Sequence, residues 1–425
     1  MTDNQAELRS WIETLPECDF SIHNLPFGII QTDGAHPRPA TRIGEYAIDL
    51  QALANLHLLY GIGISDFEVF SAPVLNPLIS LGRPVWRALR QRLSELFAAG
   101  SAHEEVIRFA RQPVLIPMKR VEMRMPVTVG DYTDFYSSIE HASNLGKMFR
   151  NPEQALLPNW RHIPVGYHGR SSSIVITGTD IHRPKGQTKA HDKDLPDFGP
   201  SREMDFELEV AYIVGKETVL GKRVSTSEAE EHIFGLVLFN DLSARDIQRW
   251  EYVPLGPFLS KNFGSVISPW IVTLDALEPF RVPTPDQIPE PLPYLKYEGK
   301  GNFDIMLEVY LKPENGPVSL ISRSNHNNLY WNIFQQLAHH TVNGCNIRVG
   351  DMGASGTISG PTPDSFGSMI ELAWKGTQPI TLADGSTRTF IEDGDTIIFK
   401  AYAAKNGIRI GFGECMTKIL PATGN

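Results

Sequence analysis

Cysteine is scarce in this chain: Cys18, Cys345 and Cys415 are its three thiols in 425 residues. They form no C-x-x-C pair, which excludes a sequence-local zinc or dithiol motif, and they are too few for a disulfide-built scaffold. A reducing, cytoplasmic location is expected. Long apolar runs are also missing. The stretch Phe234–Phe239 is far shorter than the roughly 20 residues of a membrane helix, so no membrane span is expected. The polar start Met1-Thr2-Asp3-Asn4-Gln5 lacks the basic and apolar regions of a signal peptide. Positive charge is in deficit, with 39 Lys+Arg against 49 Asp+Glu and a net charge of -10. That balance repels phosphate backbones and argues against a nucleic-acid partner. The short basic cluster Arg87, Arg90 and Arg92 lies on a helical pattern whose other side carries Leu89, Leu93 and Phe97, and it reads as a solvated helix face. No internal repeat is present, which excludes a solenoid.

What is there describes a large globular protein, with 41% hydrophobic and 21% charged residues. A length prior of roughly 150 residues per domain predicts two or three compact units. The first, over residues 1–125, mixes strand-like pieces such as Gly44–Leu50 with amphipathic helices, one closed by Gly100. From Pro126 the texture changes. Residues 126–425 carry many short β-branched runs between Gly, Pro and Asn, as in Ser173–Gly178, the pattern of a β-rich roll or sandwich. Helices are expected from Asn325 to Val342, with Gly344 ending it, and after the capping pattern Ser227-x-x-Glu230. Six prolines between Glu278 and Pro293 predict an exposed excursion that folds over a neighbour or a partner subunit.

The chemistry concentrates in acids. In Met204–Tyr212, alternation places Met204, Phe206, Leu208 and Val210 on one face and Asp205, Glu207 and Glu209 on the other. Like charges this close raise one another's pKa unless a cation lies among them, although a solvated acidic strand face would give the same pattern. Asp241 follows the apolar run Phe234–Asn240, at the mouth of a buried strand, and Asp134 sits in the turn-rich segment Gly130–Tyr136. Carboxylates without Cys or His partners favour Mg²⁺ or Ca²⁺ over zinc. His141, seven residues after Asp134, is a candidate general base if a carboxylate orients its ring. Glu371 lies among Met369, Ile370, Leu372, Ala373 and Trp374; it is either a buried carboxylate or an outward-facing strand residue. Arg245 and Gln248 share a helical i,i+3 spacing, and Lys261 follows a rigid Gly256–Ser260 loop.

Several of these residues belong to longer motifs: Asn24–Gly28, Asp131–Arg150, Pro164–Arg170, Asn240–Gln248, Gly256–Trp270, Gly356–Gly360 and Gly367–Gly376. Together and in this order they resemble the fumarylacetoacetases, within the wider fumarylacetoacetate hydrolase superfamily. The resemblance implies a mostly β, mixed fold, with an N-terminal SH3-like barrel followed by a C-terminal mixed β-roll/sandwich hydrolase domain. It implies cleavage of 4-fumarylacetoacetate to fumarate and acetoacetate, the last step of tyrosine and phenylalanine breakdown, by a homodimer carrying Mg²⁺ and/or Ca²⁺.

Residue by residue, the resemblance implies metal contacts at Asp134, Glu207, Glu209 and Asp241, with Lys261 and Ser265 at a second contact. Ser265 stands where the family has threonine. His141 and Glu371 match a water-activating dyad, and Arg245, Gln248 and Lys261 match donors to the oxyanion and leaving group. Tyr136, Arg150, Tyr167, Gln248, Tyr252 and Thr357 match substrate-binding positions. Two other readings stay open at this point: a superfamily relative acting on acylpyruvates or decarboxylating oxaloacetate, and a non-catalytic metal- or ligand-binding protein.

Overall fold

The computed structural model describes residues 8–190 and 192–424. The Met1–Gln5 segment, with the expectation attached to it, lies outside the described residues. The fold is mostly β. Near the N-terminus an antiparallel sheet runs in the spatial order Leu115–Pro117, Tyr46–Asp49, Arg38–Ile43, Phe27–Gln31, Glu122–Arg124. Asp49 ends one strand and caps the Leu50–Asn55 helix while pairing with Arg38 at 2.6 Å, so one buried carboxylate fixes both elements.

The Arg83–Phe97 helix begins after Gly82 (φ 85°), carries Pro84 in its first turn, and buries Trp86, Leu89, Leu93, Leu96 and Phe97. Its basic cluster departs from the expected solvated face. Arg87 is exposed and pairs with Asp275, but Arg90 donates to the carbonyls of His23 and Asn24. Burial pushes the Arg90 guanidinium down to about 10. Arg90 thereby ties the helix to the chain at residues 23 and 24, so its basic side is partly an interior side.

Two large sheets, with four two-stranded pairings beside them, build most of the remainder among the described residues. A mixed sheet has the order Gly166–His168, Tyr132–Phe135, Met352–Ala354, Leu208–Val214, Ile233–Asp241, Ser265–Ile267, Ile174–Ile176. A second sheet, ordered Ser319–Asn325, Met306–Lys312, Thr396–Lys405, Ile408–Leu420, Ile181–His182, packs on one of its faces. Leu208, Val210, Leu236 and Leu238 meet Leu307, Val309 and Phe399 there. The other face, with Ala211, Ile213, Val237 and Phe239, joins the core of the N-terminal elements. Both faces are covered, so the acidic positions of the Met204–Tyr212 segment are buried rather than solvated.

Three local expectations are corrected. The Asn325–Val342 helix is shorter, Ile333–Thr341, because Asn325 and Asn332 each take their own cap: Asn325 opens a 3₁₀ turn and Asn332 forms a capping box with Gln335. Gly344, at φ 92°, closes the segment as expected. The Ser227-x-x-Glu230 pattern yields only the 3₁₀ turn Ala229–His232, which has no side-chain cap; Ser225 N and Oγ instead donate to the Glu228 carboxylate just before it. Glu371 lies on a single helical turn, Met369–Leu372, not on a strand. The proline-rich excursion folds over its own chain, where Gln287 Nε2 donates to the Tyr330 carbonyl at 2.6 Å and to Gln335 at 3.0 Å.

Candidate active site

Antiparallel pairing places the start of one strand beside the end of its neighbour. Leu208 is in register with Asn240, which brings Glu207 and Glu209 next to Asp241. Asp134 arrives from Tyr132–Phe135, a regular strand rather than the turn-rich loop expected, which reaches the same place through Met352–Ala354. One oxygen from each of Asp134, Glu207, Glu209 and Asp241 lies within 4.8 Å of the others, and all four residues are buried.

At this separation two carboxylates repel by about 3–4 kcal/mol at an effective dielectric of about 20. The buried cations Lys261 and Arg245 face these four acids and Asp205, so the site remains net negative. The cost appears in the acids themselves. Burial and the neighbouring Asp241 push Asp134 well above the usual carboxylate range, and burial with Asp134 and Asp241 does the same to Glu209. Burial would also raise Glu207, but Lys261 and Arg245 outweigh it and hold Glu207 low. Asp134 Oδ1 and Glu209 Oε1 are buried and accept no hydrogen bond from the protein. Converging, unpartnered hard oxygens fit a hard divalent cation.

Lys261 meets this group through the acids. Its ammonium donates to Glu207 and, at 2.7 Å, to Asp241, and these partners hold its pKa above the ordinary value against burial. The protonated side chain has no lone pair to offer an ion, so its ammonium reaches the cluster through the carboxylates. Ser265 Oγ donates to Asp241 Oδ1 at 3.0 Å, so the hydroxyl retained in place of threonine reaches a carboxylate of the cluster. Tyr167 OH donates to Asp241 Oδ2 at 3.3 Å.

Beside the cluster, His141 lies on the Ile139–Phe149 helix, capped by Ser138. Its Nδ1 is 2.7 Å from Glu371 Oε2 and its Nε2 is 4.0 Å from Glu207 Oε1. An ionised carboxylate only accepts, which assigns a proton to Nδ1 and turns Nε2 to the side of the cluster. Glu371 is 1% exposed, so the buried alternative of the sequence is the one realised. Burial would raise it, but His141, Asn144 and Ser368 hold it below its ordinary value. Asn144 Nδ2, Ser359 Oγ and Ser368 Oγ all donate to this carboxylate. Sequence reasoning missed these three roles. The available signals were the i,i+3 spacing of Asn144 from His141 and the position of Ser359 and Ser368 inside the quoted motifs.

The remaining residues lie at graded distances from this centre. Arg245 donates to Asp205 and Glu207, each at 2.7 Å, and to Gln248 Oε1 at 3.1 Å, which confirms their shared side of the Arg245–Glu251 helix. The Tyr136 ring stands edge-on to His141 at 5.3 Å. Thr357 Oγ1 is buried without a protein partner. Arg150 follows the helix of His141 and donates to the Ala155 carbonyl at 2.7 Å. Tyr252 is 51% exposed, and no side-chain hydrogen bond among the described residues joins it to the cluster.

A cation-fitting carboxylate cluster beside a buried His–Glu pair, carried on this β fold, has the make-up of a metal-assisted hydrolase site. Among solved structures, the fold is similar to a fumarylacetoacetate hydrolase from Exiguobacterium antarcticum, with TM-score 0.52 and 16% identity over 93% of this chain and 99% of that one. The family described as fumarylacetoacetase N-terminal matches residues 23–126, and fumarylacetoacetate hydrolase C-terminal matches residues 132–420. Fumarylacetoacetases of Arabidopsis thaliana and Homo sapiens are each 50% identical to it, over 98% and 97% of this chain and 99% of each relative. The chain belongs to the fumarylacetoacetase family.

Proposed function

We propose that this protein hydrolyses 4-fumarylacetoacetate to fumarate and acetoacetate, with His141 as general base and Asp134, Glu207, Glu209 and Asp241 as metal ligands. The observation that carries the reading is the 2.7 Å His141–Glu371 pair beside carboxylate oxygens that have no protein partner. Asp134, Glu207, Glu209 and Asp241 would hold Mg²⁺ or Ca²⁺, which would supply Lewis acidity when bound. Glu371 holds the imidazole in one tautomer, and His141 Nε2 takes a proton from the attacking water. The new bond forms between the water oxygen and the carbonyl carbon. The carbon–carbon bond then breaks, and its electron pair leaves as an enolate that takes up a proton.

Arg245, Gln248 and Lys261 serve the oxyanion and the leaving enolate, a type of donor worth on the order of 10²–10³ in rate. Gln248 accepts from Arg245 through its carbonyl oxygen, so its amide group is the part available to donate. Tyr136, Arg150, Tyr167, Tyr252 and Thr357 grip the carboxylates and diketone, and the buried, unpartnered Thr357 hydroxyl supports that role.

The same reading divides the chain into a 1–125 domain and a catalytic 126–425 domain, and places the protein in tyrosine and phenylalanine breakdown in the cytoplasm. It also makes the protein a homodimer. Exposed apolar residues on the loop after the Arg245–Glu251 helix support that assembly: Val253 is 67%, Leu255 96% and Phe258 68% exposed. An acylpyruvate hydrolase or oxaloacetate decarboxylase fits less well, since relatives named fumarylacetoacetase match almost the whole chain.

The test uses chelator-treated protein with fumarylacetoacetate, following loss of the diketone's ultraviolet absorbance before and after Mg²⁺ or Ca²⁺ is restored. Metal-restored loss faster than with fumarylpyruvate is the expected result. Preference for fumarylpyruvate would move the substrate, and turnover of neither would leave a non-catalytic binding protein.

A further inference from the structure

Asp205 belongs to the same alternating segment as Glu207 and Glu209, yet it takes no part in the four-carboxylate group. Its carboxylate is 0% exposed and accepts three hydrogen bonds. Oδ2 accepts from Arg245 Nε at 2.7 Å and from the Ile370 amide at 3.1 Å, while Oδ1 accepts from the Met369 amide at 2.6 Å. Strand pairing explains the reach toward arginine, because Asp205 is in register with Ser243, two residues before Arg245. A bridge between Glu207 and Ser368 brings the Met369–Leu372 turn to the other side of Asp205. That turn carries Glu371, and Glu371 carries His141.

We propose that Asp205 is a positioning residue that ties the Arg245 guanidinium to the backbone turn bearing Glu371, so that the donor and the base dyad are held in one frame. The inference rests on the hydrolase reading above. The simpler alternative is a counter-ion that only stabilises buried Arg245. Asparagine distinguishes the two. It keeps the shape but offers one acceptor oxygen, and its amide N–H groups would face the N–H donors now bound, so at least one arm must open.

The experiment compares wild type and Asp205→Asn at saturating Mg²⁺. It measures fumarylacetoacetate turnover, thermal unfolding, and the low-field proton NMR resonance of His141 Nδ1–H in its hydrogen bond to Glu371. The expected result is a fall in kcat of roughly 10²-fold with KM changed less than about threefold, together with a shifted or exchange-broadened resonance. In a Glu371→Gln background, Asp205→Asn should cost much less than in wild type, because both changes act through one carboxylate. A folded variant with normal kcat and an unmoved resonance overturns the proposal, whatever its melting temperature.

If Asp205→Asn does not fold, Arg245→Gln is used, with hydrogen exchange read at the Met369 and Ile370 amides. Faster exchange there supports the shared frame, and unchanged exchange overturns it. The resonance and exchange readouts do not depend on substrate, so failure of the hydrolase reading would appear separately, as absent wild-type turnover.

Discussion

At the scale of single residues, the site sorts charged groups by their partners. Glu371 is buried with His141 and three neutral donors, which keeps it ionised and keeps the imidazole in one tautomer. His141→Ala removes the proposed base while leaving the four acids in place. Its kcat at saturating metal should fall roughly 10²–10⁴-fold, measured by steady-state kinetics, with metal binding retained. His326 shows the opposite arrangement. It is buried with neither ring nitrogen hydrogen-bonded, and burial pushes it down to about 4. Below the ordinary histidine value of about 6.5, the unfolded chain binds a proton that the folded chain refuses. This contribution to stability is therefore full above pH 6.5 and is lost as pH falls toward 4, by about 3 kcal/mol. Denaturant unfolding at pH 7 and pH 4.5 should show His326→Phe losing less stability on acidification than wild type.

At the scale of elements, the Ile139–Phe149 helix places the base, and a glycine sets how close the next loop comes to it. A Cβ on Gly146 would lie 2.0 Å from the Ala155 carbonyl oxygen. Backbone atoms cannot yield as a flexible side chain does, so Gly146→Ala must push the helix and the loop apart. The expected cost is about 1–3 kcal/mol of stability, read by denaturant unfolding, with a fall in kcat as His141 shifts from Glu371. The Met204–Val214 segment shows why tertiary context overrides a local pattern. Its alternation is real, but each face is buried for a different reason: one packs on the second sheet, and the other holds the acids.

At the scale of the whole molecule, an ion held by the cluster would couple metal binding to folding. Mutually repelling carboxylates destabilise the metal-free fold, and an ion bound only by the folded state adds about 2.7 kcal/mol at 100 times its Kd. Chelation should therefore lower the melting temperature and excess Mg²⁺ or Ca²⁺ should restore it, measured by calorimetry. Asp134→Asn should blunt this response, because it removes one charge from the cluster. No helix among the described residues is long and apolar enough to cross a membrane.

Sequence by itself determined the residue types and their local order: acids at alternating positions, a histidine close behind Asp134, a buried run ending at Asp241, and motifs specific enough to indicate the family. Those features are local because side-chain chemistry and strand periodicity are local. Only the tertiary structure decided which acids converge, since register between distant strands puts Asp134 and Asp241 beside Glu207 and Glu209 while turning Asp205 toward Arg245. It also decided that Glu371 faces inward on a helical turn and that Arg90 is partly interior. These outcomes depend on which surfaces meet across separations that run from 40 residues, for Asp205 and Arg245, to 230, for His141 and Glu371, and packing and hydrogen-bond satisfaction fix them only when the whole molecule has folded.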